Sequence, residues 1–183
     1  MIFLKCKKSD CDVKVIHNVS IFNAISITGL SLYTFGQTVS IVYFTETYQP
    51  ESFYDKILEN LNLGLHTLCL LDIRMHEPTA DTILSKNPVY ELPRCMKIHE
   101  AVEILLKISK KRNCKKITKD TLIVGAARVG TKTEKIVTMT MEQALLPHYI
   151  ENMGATLHSL VIVGKLDLIE QDIIQIYKLK FDQ

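Results

Sequence analysis

The chain has 183 residues, 47% of them apolar and 23% charged, with a formal charge of +2 at pH 7. That is length enough for one sizeable core or two small ones, and a composition typical of globular proteins. So small a net charge excludes bulk nucleic-acid binding or attachment to an anionic membrane driven by charge alone.

Residues 1–12 begin apolar and turn basic at Lys5, Lys7 and Lys8, which suits the end of a helix. MIFLKCKK lacks an apolar region followed by a small-residue cleavage site, and the longest apolar runs fall short of a membrane span. Neither a signal peptide nor a membrane segment is expected. Residues 13–29 (VKVIHNVSIFNAISITG) open as a β-branched strand, pass Asn18, and take up helical periodicity at Ser20, a natural N-cap. A strand–loop–helix junction of this kind presents backbone groups to a ligand at a strand's carboxyl end.

Gly29, Gly36 and Gln37 mark a turn before residues 38–44 (TVSIVYF), which read as a strand. Pro50 and Glu51 then start a helix carrying Phe53, Tyr54, Ile57, Leu58 and Leu61 on one face, with Gly64 as its stop. Residues 67–73 (TLCLLDI) are apolar almost throughout, as in a strand covered on both faces. A looser stretch over 74–96 contains Pro78, Pro88 and Pro93. Ile98, Ala101, Val102, Leu105 and Ile108 form the stripe of the next helix, with Glu100 and Glu103 early and Lys110, Lys111 and Arg112 late, matching the macrodipole. The basic end reads as a solvated terminus or as a site for an acidic partner. Further strands are expected over 121–127, 135–141 and 157–164. A segment containing Pro147 and Gly154 lies between the last two, and a closing amphipathic helix carries Leu166, Ile169, Ile173 and Ile176. Alternating strands and helices make the class α/β.

Residue types alone leave the chemistry open. The five cysteines are scattered with no C-x-x-C pair, so reduced, packed thiols are expected and no metal site. His17 and His158 stand at strand edges, where an imidazole is either a satisfied structural group or a base. Asp72 closes an apolar strand and either meets a ligand or pairs with an arginine. No G-x-S-x-G, P-loop or H-E-x-x-H motif is present.

Five stretches together resemble the diphthine synthase family: VIHNVSIFNAI (15–25), TYQPESFYDKI (47–57), HTLCLLDI (66–73), VGAARVG (124–130) and TLHSLVIVG (156–164). They stand in family order at near-family spacing. The resemblance implies a tetrapyrrole-methylase-like α/β fold in which S-adenosylmethionine binds between two α/β domains and leaves as S-adenosylhomocysteine. It implies methylation of a modified histidine of translation elongation factor 2, in the cytoplasm, by a homodimer with no nucleic acid or membrane partner. Position by position, the family's cofactor contacts fall on Ser20, Ile21, Leu71, Val129 and His158.

The family's GLGL-type and GDP-type loops have no counterpart, so the chain is expected to begin within the helix after the second loop. Residues 1–36 would then be the end of the N-terminal cofactor-binding domain and residues 37–183 the C-terminal α/β domain. The strand over 13–17 would have an unpaired edge. Local departures are Leu92-Pro93-Arg94-Cys95 for P-P-R-Y, Thr156 for a proline, and Tyr48 and Gln49 where tryptophan and arginine are common. The alternative expectation is a catalytically inactive homologue that serves as a binding or dimerisation module.

Overall fold

The computed structural model describes residue 9, residues 20–75, residue 87 and residues 89–179. The expected helix end over 1–12, the strand over 13–17 with His17, and His76 lie outside the described residues.

The first element among the described residues is a single helical turn, α1 (Ile21–Ala24), continued by a 3₁₀ turn over Ile25–Thr28. The helix expected from Ser20 stops early for local reasons. Ser26 and Thr28 hydroxyls donate back to the carbonyls of Asn23 and Ile25, and Gly29 turns left-handed at φ 75°. Next come β1 (Val39–Ile41), α2 (Ser52–Asn62), β2 (Thr67–Leu71) and the short pair β3 (Ile73–Arg74) and β4 (Arg94–Cys95). The chain closes with α3 (Ile98–Lys111), β5 (Leu122–Ala127), β6 (Lys135–Thr140), α4 (Pro147–Met153), β7 (His158–Ile162) and α5 (Leu168–Ile176).

Two strand expectations are shortened by one carboxylate. Asp72 Oδ2 accepts the Tyr43 N–H at 3.1 Å, so a side chain takes the place of the ladder just beyond Ile41. Asp72 also separates β2 from β3 and pairs with Arg74 at 3.4 Å. Of its two possible roles, the structural one is realised. The basic end of α3 is exposed to solvent, as expected, and also paired within the chain: Lys111 and Arg112 each reach Glu51 at 2.7 Å, and Arg112 also engages Asp55. The segment around Pro147 holds a helix that periodicity had not indicated, although Pro at its first position and Gly154 just past its end are standard punctuation.

Five strands form one mixed sheet in the order β1-β2-β7-β5-β6, with β1 and β2 parallel and the other pairings antiparallel. Alternation along each strand sends side chains to two cores. One, containing Tyr54, Ile57, Leu105, Ile123, Leu160 and Ile162, lies under α2, α3 and α4. The other holds Ile25, Leu30, Leu68, Val124, Val161 and Ile174, beneath α1 and α5. The carboxyl ends of β1, β2 and β5 and the amino end of β7 share one edge of this sandwich, because Ala127 sits opposite His158 and Ser159 opposite Leu70.

Candidate functional site

A cavity of about 830 Å³ opens at that edge. Its wall includes Ser20 and Ile21 from the start of α1, Leu70 and Leu71 from β2, Arg128, Val129 and Gly130 after β5, and Leu157, His158 and Ser159 entering β7. The five residues singled out by resemblance therefore come from four separated segments to one space. Leu70 and Leu71 point to opposite sheet faces, as do His158 and Ser159, yet all four border the cavity. The space thus wraps over the strand ends. The β2–β7 register runs as far as Leu70–Ser159, one step short of Leu71 and His158.

Ser20 is extended (φ −150°, ψ 137°), and its Oγ accepts the Phe22 N–H at 3.2 Å. Its backbone carbonyl closes the turn by accepting from Asn23 and Ala24. N-capping, the default for a serine here, is its structural role, and the hydroxyl proton is left for a ligand. Ile21 and Val129 pack on the α1-side core, while Leu71 belongs to the opposite one.

His158 is buried, and both ring nitrogens are engaged by the backbone: Nδ1 accepts the Ile98 N–H at 3.4 Å, and Nε2 donates to the Ala155 carbonyl at 3.0 Å. Burial pushes its pKa down, the Ala155 carbonyl partly opposes that, and nearby Arg128, Lys97 and His99 charges add to the fall. The ring is a structural group that caps α3 and ties down the turn before β7.

The loop after β5 turns sharply. Arg128 has φ 49° and Gly130 φ 81°, and the Gly130 N–H donates to Glu134 Oε2 at 2.7 Å. A Cβ at Gly130 would meet nothing within 4 Å, so this wall is open. Ala24, Ala126 and Ser159 keep other parts of the wall low. Sequence reasoning passed over these small residues and Arg128 as parts of the site, although Ala126 and Arg128 stand in the quoted VGAARVG stretch. Asp72 does not border the cavity, and neither does His66. Instead His66, fully buried, accepts the Gly164 N–H on Nδ1 at 2.9 Å and donates from Nε2 to Glu170 Oε1 at 3.3 Å. Among the described residues, no group of three or more metal-ligating side chains comes together. Nor, among them, is any helix long and apolar enough to cross a membrane.

No family model matches the chain. The chain is 44% identical over 178 residues to the probable diphthine methyl ester synthase of Arabidopsis thaliana, covering 97% of itself and 63% of that protein. It is 41% identical over 177 residues to the diphthine methyl ester synthase of Dictyostelium discoideum, again 97% of this chain and 63% of the relative. A crystal structure from Entamoeba histolytica, assigned as a diphthine synthase, superposes with a TM-score of 0.82 at 39% identity, over 98% of this chain and 65% of that one. The chain thus spans less than two thirds of the length of the curated relatives it matches. The α/β fold is the tetrapyrrole-methylase-like one that the five stretches implied. By sequence and by fold, the chain is similar to diphthine methyl ester synthases over somewhat less than two thirds of their length.

Proposed function

We propose that this chain carries part of an S-adenosylmethionine-dependent methyltransferase of diphthamide biosynthesis, acting on the modified histidine of translation elongation factor 2. The observation that carries the reading is the convergence of Ser20, Ile21, Leu71, Val129 and His158 on one 830 Å³ cavity at the strand ends. A space of that size is in the range of small-molecule sites, and its wall is apolar with a few backbone and hydroxyl groups, which suits an adenosine and an amino-acid tail.

When bound, S-adenosylmethionine supplies a methyl group already activated on a sulfonium, and it leaves as S-adenosylhomocysteine. Ile21, Leu71 and Val129 would flank the adenine with apolar surface. The Ser20 hydroxyl and the backbone around Leu71 and His158, just past the last paired level of β2 and β7, would fix the polar parts. The chain's contribution is then alignment and exclusion of water rather than proton transfer, in keeping with a cavity whose histidine is committed to the backbone. In this reading residues 1–36 belong to the cofactor-binding domain and residues 37–183 to its partner, and the assembly is a cytoplasmic homodimer. Dimerisation is supported by the apolar residues Leu168, Ile169 and Ile176, which stay exposed on α5.

The test is expression in a cell lacking diphthine synthase, of this chain alone and fused to the N-terminal segment of a full-length relative. Mass spectrometry of elongation factor 2 should show methylated product with the fusion. Unmethylated factor with both forms, at matched expression, would leave a binding module as the better account.

A further inference from the structure

The Arg128 guanidinium bridges the two loops that frame the open side of the cavity. On one side Nε donates to the Thr133 carbonyl at 3.0 Å and to Thr133 Oγ1 at 3.1 Å, holding the β5–β6 loop that carries Val129 and Gly130. On the other, Nη1 donates to the Met153 carbonyl at 2.8 Å and to the Ala155 carbonyl, holding the turn between α4 and β7 that carries Leu157 and His158. Ala155 is the same carbonyl that receives the His158 ring. The backbone completes the clamp, with the Arg128 N–H donating to Leu157 at 2.8 Å and its carbonyl accepting from Thr131.

One feature marks the arrangement as specific to a guanidinium. The acceptors lie on two separate loops, and a planar fork with five N–H groups can serve both at once, whereas an ammonium on a flexible stem serves one region. Arg128 also holds a left-handed backbone, uncommon for a residue with a Cβ. Gly154 lies beside the guanidinium at φ 68°, a backbone conformation that side chains rarely adopt, and a Cβ there would meet Nη1 at an ordinary contact distance of 3.6 Å.

We propose that Arg128 is a positioning residue for the methyl donor: by fixing the separation of the Val129–Gly130 and Leu157–His158 walls, it sets the width of the cavity mouth. The proposal rests on the reading of the cavity as an S-adenosylmethionine site. It goes beyond that reading by assigning the site's geometry to a residue outside the carried-over contacts.

The experiment compares the full chain with Arg128→Gly and Arg128→Lys. Glycine relaxes the left-handed backbone while deleting the guanidinium, and lysine keeps the charge without the fork. Two readouts are taken on each: calorimetric titration with S-adenosylhomocysteine, and amide hydrogen exchange of the unliganded chain. The expected result is at least a tenfold loss of S-adenosylhomocysteine affinity in both variants, with no rescue by lysine. Exchange should quicken at residues 129–133 and 154–158 while the amides of β2 and β5 stay protected. Equal affinity in Arg128→Gly and the parent chain would overturn the proposal and leave the cofactor reading intact, as would unchanged exchange at both loops. Loss of protection across the whole sheet would show Arg128 to be a general stability residue and equally overturn it. A parent chain that does not bind S-adenosylhomocysteine would overturn the cofactor reading itself, and the positioning role with it.

Discussion

At the scale of single residues, function and architecture use the same positions for different parts. His158 borders the cavity, and its ring holds the N-terminus of α3 and the Ala155 turn. Replacing it by phenylalanine keeps the bulk but strands the Ile98 N–H, while the Ala155 carbonyl keeps its Arg128 donor, and should cost about 1–3 kcal/mol in urea unfolding. Its pH dependence has a defined sign. Because burial lowers the folded-state pKa, the unfolded chain binds the proton first. Stability from this group is complete above the ordinary histidine value, about 6.5, and is lost as pH falls through that value towards the folded pKa. Unfolding at pH 7.5 and pH 5.5 should therefore show a smaller acid loss in His158→Phe than in the parent. The cavity floor allows a second test. Ser159→Phe adds a ring where a small side chain now keeps the wall low, and should weaken S-adenosylhomocysteine binding at least tenfold in titration without lowering the melting temperature by more than a few degrees.

Elements show where sequence patterns were sufficient and where side-chain chemistry overrode them. The helices expected from Pro50–Gly64, from the Ile98 stripe and from the closing Leu166–Ile176 periodicity are present as α2, α3 and α5, because apolar spacing and punctuation agree in each, although Leu166 lies before the Asp167 cap of α5. Strand ends were less legible, since Asp72 captures the Tyr43 amide and nothing local in TVSIVYF announces a partner 29 residues away. The five carried-over positions were legible only as separate motifs. Their convergence depends on the register of β7 between β2 and β5, a long-range fact.

Glu170 is another such case. From the first turn of α5 its carboxylate closes a capping box with Asp167, accepts the Ser31 N–H at 2.8 Å and meets His66 beneath the sheet. Burial opposes its charge, but those donors outweigh it and hold the carboxyl below its usual range. Glu170→Ala should cost about 3 kcal/mol or more in urea unfolding, since three donors lose a buried acceptor; Glu170→Gln, which retains one oxygen, should cost less. With the folded pKa depressed, this stabilisation is present above the unfolded carboxylate value and is lost as pH falls through the folded one.

For the whole molecule, one mixed sheet separates two cores, and the cavity lies at the edge where three strand ends and one strand start meet. That placement follows the general rule for ligand sites in α/β folds. Relatives are longer by more than a third of their own length. The central claim is that the cavity wall forms a methyl-donor site, and it is tested most directly by isothermal titration of this chain with S-adenosylhomocysteine. The account predicts saturable heat with one site per chain, diminished in Ser159→Phe. Absence of detectable heat up to millimolar ligand, from a chain shown to be folded by its unfolding transition, would contradict it.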